Sequence, residues 1–115
     1  MKIKTKRVYE DFDAKDGRRV LVDRLWPRGL KKESAGIDLW MKEIAPSNEI
    51  RNWFAHDPAK WNDFRKKYFA ELKSNKNLCE ELIGKEKGML TLLYSAKDVE
   101  HNQAVALKEF LEKYF

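Results

Sequence analysis

The sequence is poor in several features, and each scarcity excludes a class of protein. Its 115 residues contain one cysteine, Cys79, so no intrachain disulfide can form. With only two histidines beside that thiol, the chain falls short of any closed zinc set, and it is expected to bind no metal. No run approaches the roughly 18 apolar residues of a membrane span. The opening Met1-Lys2-Ile3-Lys4-Thr5-Lys6-Arg7 lacks the apolar centre of a signal peptide. There is no Gly-x-Gly-x-x-Gly, no P-loop, no His-Glu-x-x-His and no paired-cysteine spacing, which sets aside dinucleotide, nucleoside-triphosphate and zinc chemistry. No cofactor is expected. Repeats, low-complexity tracts and linkers are missing too, and the three prolines, Pro27, Pro46 and Pro58, each fall between segments of different pattern. The expectation is a soluble cytoplasmic protein of one domain, residues 1–115.

What is present is enough for a core. Hydrophobic residues make up 43% of the chain and aromatics 12%, including four Trp and six Phe, which rules out wholesale disorder. Charge is unevenly placed. Residues 1–32 carry eleven Lys and Arg against five Asp and Glu, a balance of +6, which leaves −1 for residues 33–115. A basic first third invites an anionic partner, whether nucleic acid, phosphate ester or acidic protein, and its plainer reading is a solvated face.

Periodicity places the elements. Ile3 to Tyr9 suits a short edge strand, and Asp16-Gly17 a turn. Arg19-Val20-Leu21-Val22-Asp23 and Met89 to Tyr94 read as strands buried on both faces, joined by a long helical region suited to a parallel crossover. Within that region, Ile37, Trp40, Met41 and Ile44 predict a helix that Pro46 stops. Ser47 predicts an N-cap ahead of Ile50, Trp53 and Phe54, and Asp57-Pro58 starts a helix through Trp61, Phe64, Tyr68 and Leu72. A further helix runs from Asn77 to Lys85, burying Leu78, Leu82 and Ile83 until Gly84 or Gly88 ends it. The last carries Ala104, Leu107, Leu111 and Tyr114 on one stripe. The fold class is therefore α/β: a small, largely parallel sheet flanked by helices.

In such sheets ligands bind beyond the carboxyl ends of the strands, where loops and helix N-termini converge. Two segments fall there: Asp23-Arg24-Leu25-Trp26-Pro27-Arg28-Gly29 after the first buried strand, and Ser95-Ala96-Lys97-Asp98-Val99-Glu100-His101-Asn102 after the second. Arg24 and Arg28 offer guanidiniums that grip carboxylate or phosphate bidentately, with Trp26 as a flat wall. Lys97, Ser95 and Asn102 add an ammonium, a hydroxyl and an amide beside a helix start. His101, His56 and Asp98 are the candidates for proton transfer.

Each has a structural alternative. Arg24 either clamps an anion or pairs with Asp23 or Asp98. Trp26-Pro27 is a packing corner or a stacking platform. His56-Asp57 is a helix boundary or an acid/base site, and Asn102 or Asp98 is an N-cap or a ligand contact. Cys79 reads as structural. Ser95 has His and Asp nearby in sequence but no Gly-x-Ser-x-Gly elbow around it.

Long motifs carry a resemblance. Residues Val20 to Gly29, Ala45-Pro46-Ser47, Trp53 to Pro58, and Leu90 to Asp98 with His101-Asn102 resemble the signatures of the YeaO-like family, a branch of the domain-of-unknown-function family numbered 488. The resemblance runs nearly end to end and supplies positions rather than a reaction. It implies that Arg19, Asp23, Arg24, Trp26, Pro27, Arg28 and Gly29 are motif positions, with His56, Asp57, Lys97, Asp98, His101 and Asn102. Distant members often carry cysteine near the end of the last strand, where this chain has Ser95, so thiol chemistry does not carry over.

Two functional readings follow. The first is a small enzyme or ligand-binding domain for a small anion such as a phosphate ester, nucleotide or carboxylate, with His101 or His56 moving protons if chemistry occurs. The alternative is a nucleic-acid-binding or protein-interaction module that uses the basic first third. The clustering of Arg, Asp, His and Asn at strand ends favours the first. No membrane partner is expected, and oligomeric state is not encoded in any motif.

Overall fold

Beyond β-propensity alone, a parallel ladder joins segments far apart in the chain. The computed structural model describes residues 2–84 and 88–115. Strands β1 (Lys2–Arg7), β2 (Arg18–Leu21), β3 (Leu39–Trp40) and β4 (Met89–Tyr94) form an all-parallel sheet in the order β1-β4-β2-β3. Helices α1 (Asn48–Phe54), α2 (Trp61–Ser74) and α3 (Lys76–Ile83) lie between β3 and β4, and α4 (Gln103–Tyr114) follows β4. The fold class is α/β, with β1 on an edge and the two apolar strands side by side.

Alternation sorts the side chains of the central strands. Val20, Leu90, Leu92 and Tyr94 pack with residues from all four helices, among them Phe54, Phe64, Leu82 and Leu107. Leu21 and Leu93 turn to the opposite face, where Trp40 of β3 and Val8, Trp26, Leu30 and Ile37 from irregular segments cover them. Cys79 is a fully buried member of the helix-side core.

The predicted helix over Ile37 to Ile44 is not there. Leu39–Trp40 instead pairs with Val20 and Leu21 as β3, and Lys42–Ile44 forms a single 3-10 turn. The reason lies in Leu39, which the helical template leaves out: Leu39 and Met41 face the helix-side core while Trp40 faces the other, a period of two. The ladder extends through Asp38 N–H to Arg19 O and Met41 N–H to Leu21 O, both at 2.9 Å. Smaller differences concern ends and stripes. Pro58–Lys60 is a 3-10 turn before α2, capped by Asp57. In α3, Cys79 and Leu82 are buried, whereas Leu78 and Ile83 are only partly so; Gly84 caps it, and Lys85 lies outside the described residues. Tyr114 is exposed at the end of α4.

Part of the basic first third turns inward. Arg19, 1% exposed, donates from Nε to Gly36 O at 2.8 Å, from one terminal nitrogen to Ala35 O at 3.2 Å and from the other to Asp16. Lys4 and Lys6 reach the same carboxylate at 2.6 and 3.0 Å. Burial would raise the Asp16 carboxyl, but Lys4, Lys6 and Arg19 together outweigh it and hold the group well below the usual carboxylate range. Gly17 follows with φ +66°, and a Cβ there would lie 2.3 Å from Met89 O, so only glycine lets this turn approach β4.

Candidate functional site

Connectivity creates a crevice between β2 and β4. After β2 the chain passes to the face of Leu21 and Leu93; after β4 it enters α4 on the other face. Adjacent parallel strands whose exits diverge leave an opening at their carboxyl ends. Here it has a volume of about 280 Å³. Its lining comes from residues 23–28, 45–46, 95–96 and 102–103, together with Arg51, Phe54, His56 and Phe64.

Asp23 sits at the base, 8% exposed. Its Oδ2 accepts the Ser95 amide at 3.0 Å and its Oδ1 accepts the Gln103 side-chain amide, while its backbone carbonyl accepts Trp40 Nε1–H at 2.7 Å. Burial raises its carboxyl above the ordinary value, and hydrogen bonds from Ser95 and Gln103, with the charge of His56, offset this only in part. Arg24 pairs with neither Asp23 nor Asp98. It donates from Nε to Pro46 O and from a terminal nitrogen to Ala45 O, both at 3.0 Å, which draws the 45–46 corner against the loop after β2.

Trp26 both packs and lines. Its indole N–H donates to Leu30 O at 2.8 Å, and its ring meets Trp40 edge-on at 5.4 Å. Arg28 is exposed at the rim, where its carbonyl accepts the Tyr9 hydroxyl at 2.8 Å. His56 reaches the crevice from a tight corner: α1 ends in Ala55 at φ 45° and His56 at φ 58°, two successive non-glycine residues in the left-handed region. Such conformations cost about 1 kcal/mol or more each. Asn102 lines the crevice but is also the N-cap of α4, its side-chain oxygen accepting Val105 N–H at 3.0 Å and its nitrogen donating to Asp98 O at 3.0 Å.

The structure thus brings Arg24, Trp26, Arg28, His56, Ser95 and Asn102 to one crevice and leaves Lys97, Asp98 and His101 outside its lining. His101 Nδ1 lies 2.9 Å from Asp98 Oδ2, and its ring packs edge-on to Trp61 at 5.3 Å. Asp98 accepts the Glu100 and His101 amides at 2.9 and 3.0 Å; with the imidazole, these hold its carboxyl below the usual range. The pair orders the turn into α4. Two lining residues, Arg51 and Gln103, carried no sequence assignment. Arg51 stands three residues before Phe54 on α1, and Gln103 directly follows the N-cap, so helical spacing and the capping pattern were the available signals. Among the described residues no cluster of three or more His, Cys, Asp or Glu side chains is arranged to hold a metal ion. No helix there is long and apolar enough to cross a membrane.

Comparison with known proteins matches the sequence to a family over nearly its whole length. The family model DUF488-N3i, described as the inactive DUF488-N3 subclade, matches residues 2–115. The chain belongs to that family. Within the wider YeaO-like group, this DUF488-N3i chain is 45% identical over 112 residues to the uncharacterized protein YeaO of Escherichia coli (strain K12), covering 96% of this chain and 97% of that one. It is 37% identical over 112 residues to the uncharacterized protein Rv3073c of Mycobacterium tuberculosis (strain ATCC 25618 / H37Rv), covering 96% and 93%. No solved structure matches the chain significantly.

Proposed function

We propose that the domain binds a small anionic ligand, a phosphate ester, nucleotide or carboxylate, in the crevice at the carboxyl ends of β2 and β4. It holds that ligand rather than transforming it. One observation carries the reading: Arg24, Arg28 and Arg51 line the same crevice, and Asp23, the lining carboxylate, ion-pairs with none of them among the described residues. A guanidinium suits carboxylate and phosphate because its planar fork makes two parallel charge-assisted bonds. With Nε and one terminal nitrogen fixed on carbonyls, Arg24 is pre-ordered, so little side-chain entropy is lost when an anion meets its remaining donors. Trp26, Phe54 and Phe64 supply apolar wall, and His56 and Ser95 add polar contacts at the rim and base.

The family's description as inactive goes with binding rather than turnover. So does the position of His101, which is engaged with Asp98 away from the crevice lining. A cytoplasmic setting belongs to this reading, since Cys79 is a buried free thiol of the kind reducing compartments keep. Nucleic acid is the weaker alternative: Lys4, Lys6 and Arg19 of the basic third gather on Asp16, which reduces the charge offered to a phosphate backbone.

Thermal shift and calorimetry with inorganic phosphate, sulfate and citrate, against chloride at equal ionic strength, test the proposal. A binding anion at a hundred times its Kd stabilises the fold by about 2.7 kcal/mol, and Arg51→Ala weakens that effect. If no anion raises the melting temperature, the reading fails. Sub-micromolar nucleic-acid binding at physiological salt, lost on changing Lys2, Lys4 and Lys6 to Glu, would favour the alternative.

A further inference from the structure

Asp23 sits awkwardly in an anion site, and its awkwardness is informative. It is 8% exposed, lines the crevice, and enters none of the ion pairs among the described residues. Its nearest arginine in sequence, Arg24, is directed to the carbonyls of Ala45 and Pro46 instead. A carboxylate has about four lone-pair sites. Its hydrogen-bond partners here are Ser95 and Gln103, which are neutral, and His56 acts on it only through space, so the buried carboxylate has hydrogen bonds but no ion-pair partner among the described residues. Removing a carboxylate from water without a counter-ion is costly. The other buried carboxylate among the described residues is handled differently: Asp16 is ringed by Lys4, Lys6 and Arg19.

We infer that the ligand itself supplies the missing cation: it is amphoteric, bearing an amine that meets Asp23 as well as the anionic group that meets the arginines. This rests on the anion-site reading and narrows it to amino-bearing carboxylates or phosphate esters. The crevice has both poles within one volume of about 280 Å³, with Phe54 and Phe64 among its apolar lining. That space suits a ligand of amino-acid size, at the small end of ordinary ligand sites. A purely anionic ligand would satisfy the arginines and leave Asp23 repelling it; an amine turns that repulsion into a charge-assisted hydrogen bond.

Matched probes separate the two readings, because they share a body and differ only in the ammonium. Calorimetry on the whole chain compares phenylalanine with 3-phenylpropionate, and phosphoethanolamine with ethyl phosphate; the two pairs distinguish a carboxylate from a phosphate head. The expected result is that the amine-bearing member of one pair binds about tenfold tighter or more, the size of a close charge pair. Asp23→Asn, checked for folding by circular dichroism, should erase that advantage. Should the variant not fold, the wild-type comparison still decides. Equal binding within both pairs overturns the amphoteric ligand while the anion site stands. An advantage that survives Asp23→Asn overturns it as well. Absence of binding by all four probes removes both this inference and the anion site beneath it.

Discussion

Asp23 Oδ2 accepts the Ser95 amide at 3.0 Å, so the loop leaving β2 is tied to the loop leaving β4 by a side chain rather than by the ladder. The strands end with Val22 N–H donating to Leu93 O at 3.0 Å, and beyond that point the backbones diverge to opposite faces of the sheet. One carboxylate therefore sets the width of the crevice. Gln103 extends the tie to the first turn of α4.

This carboxylate has a pH signature. Because burial raises its pKa in the folded protein, the folded state holds the proton more tightly than the unfolded chain does. Its favourable contribution is complete below the unfolded value of 3.8 and is lost as pH rises through the folded value. The stability of the wild type relative to Asp23→Asn should fall as pH rises from 3.8 through the folded value. Urea denaturation of both proteins across that range measures it; a constant difference would show that Asp23 does not titrate abnormally.

Asp16 should show the opposite sign. Its carboxyl is depressed, so its contribution is present above 3.8 and is lost as pH falls toward the folded value. Asp16→Asn leaves the buried Arg19 without its carboxylate, at a cost of about 3–5 kcal/mol. Urea midpoints near neutral pH check the size, and a flatter acid limb in the variant checks the sign. A loss below about 1 kcal/mol would mean that the cluster relaxes around water.

The arginines divide by their partners. Arg24→Ala removes two charge-assisted bonds to the carbonyls of Ala45 and Pro46, and should cost about 2 kcal/mol. Arg28 and Arg51 are exposed, and their Ala variants should stay within about 0.5 kcal/mol of the wild type, like the exposed control Lys66→Ala. Chemical denaturation of the four variants gives the comparison. Equal losses for all three arginines would place Arg28 and Arg51 in the packing as well.

Much of this was legible in the sequence where local and tertiary preferences agree. The apolar runs at Val20 to Val22 and Met89 to Tyr94 are β-rich and bounded by polar residues, and both became central strands. Ser47, Asp57 and Asn102 cap as their chemistry suggests, each accepting an amide two or three residues on. The segment from Ile37 to Ile44 misled because a two-residue strand followed by a 3-10 turn reproduces helical spacing, and only pairing with β2 decides between them. Proximity at the site was legible only for residues at strand exits. Arg51 arrives from α1 and Phe64 from α2, and the packing angles that bring them to the crevice are tertiary facts. Conversely His101, adjacent in sequence to the lining Asn102, is turned away by its contacts with Asp98 and Trp61.

The two histidines therefore provide the sharpest spatial test. His56 lines the crevice beside Arg51 and Asp23, while His101 is outside its lining, with one ring nitrogen on Asp98 and its edge against Trp61. A ligand that fills the crevice changes the field and solvent at His56 and leaves the His101 contacts intact. Imidazole resonances followed by NMR during titration with inorganic phosphate should shift for His56 and stay fixed for His101. His56→Gln and His101→Gln assign the signals, and His101→Gln should bind phosphate as the wild type does. A shift confined to His101, or loss of phosphate binding on changing it, would move the site to the turn before α4 and away from the crevice between β2 and β4.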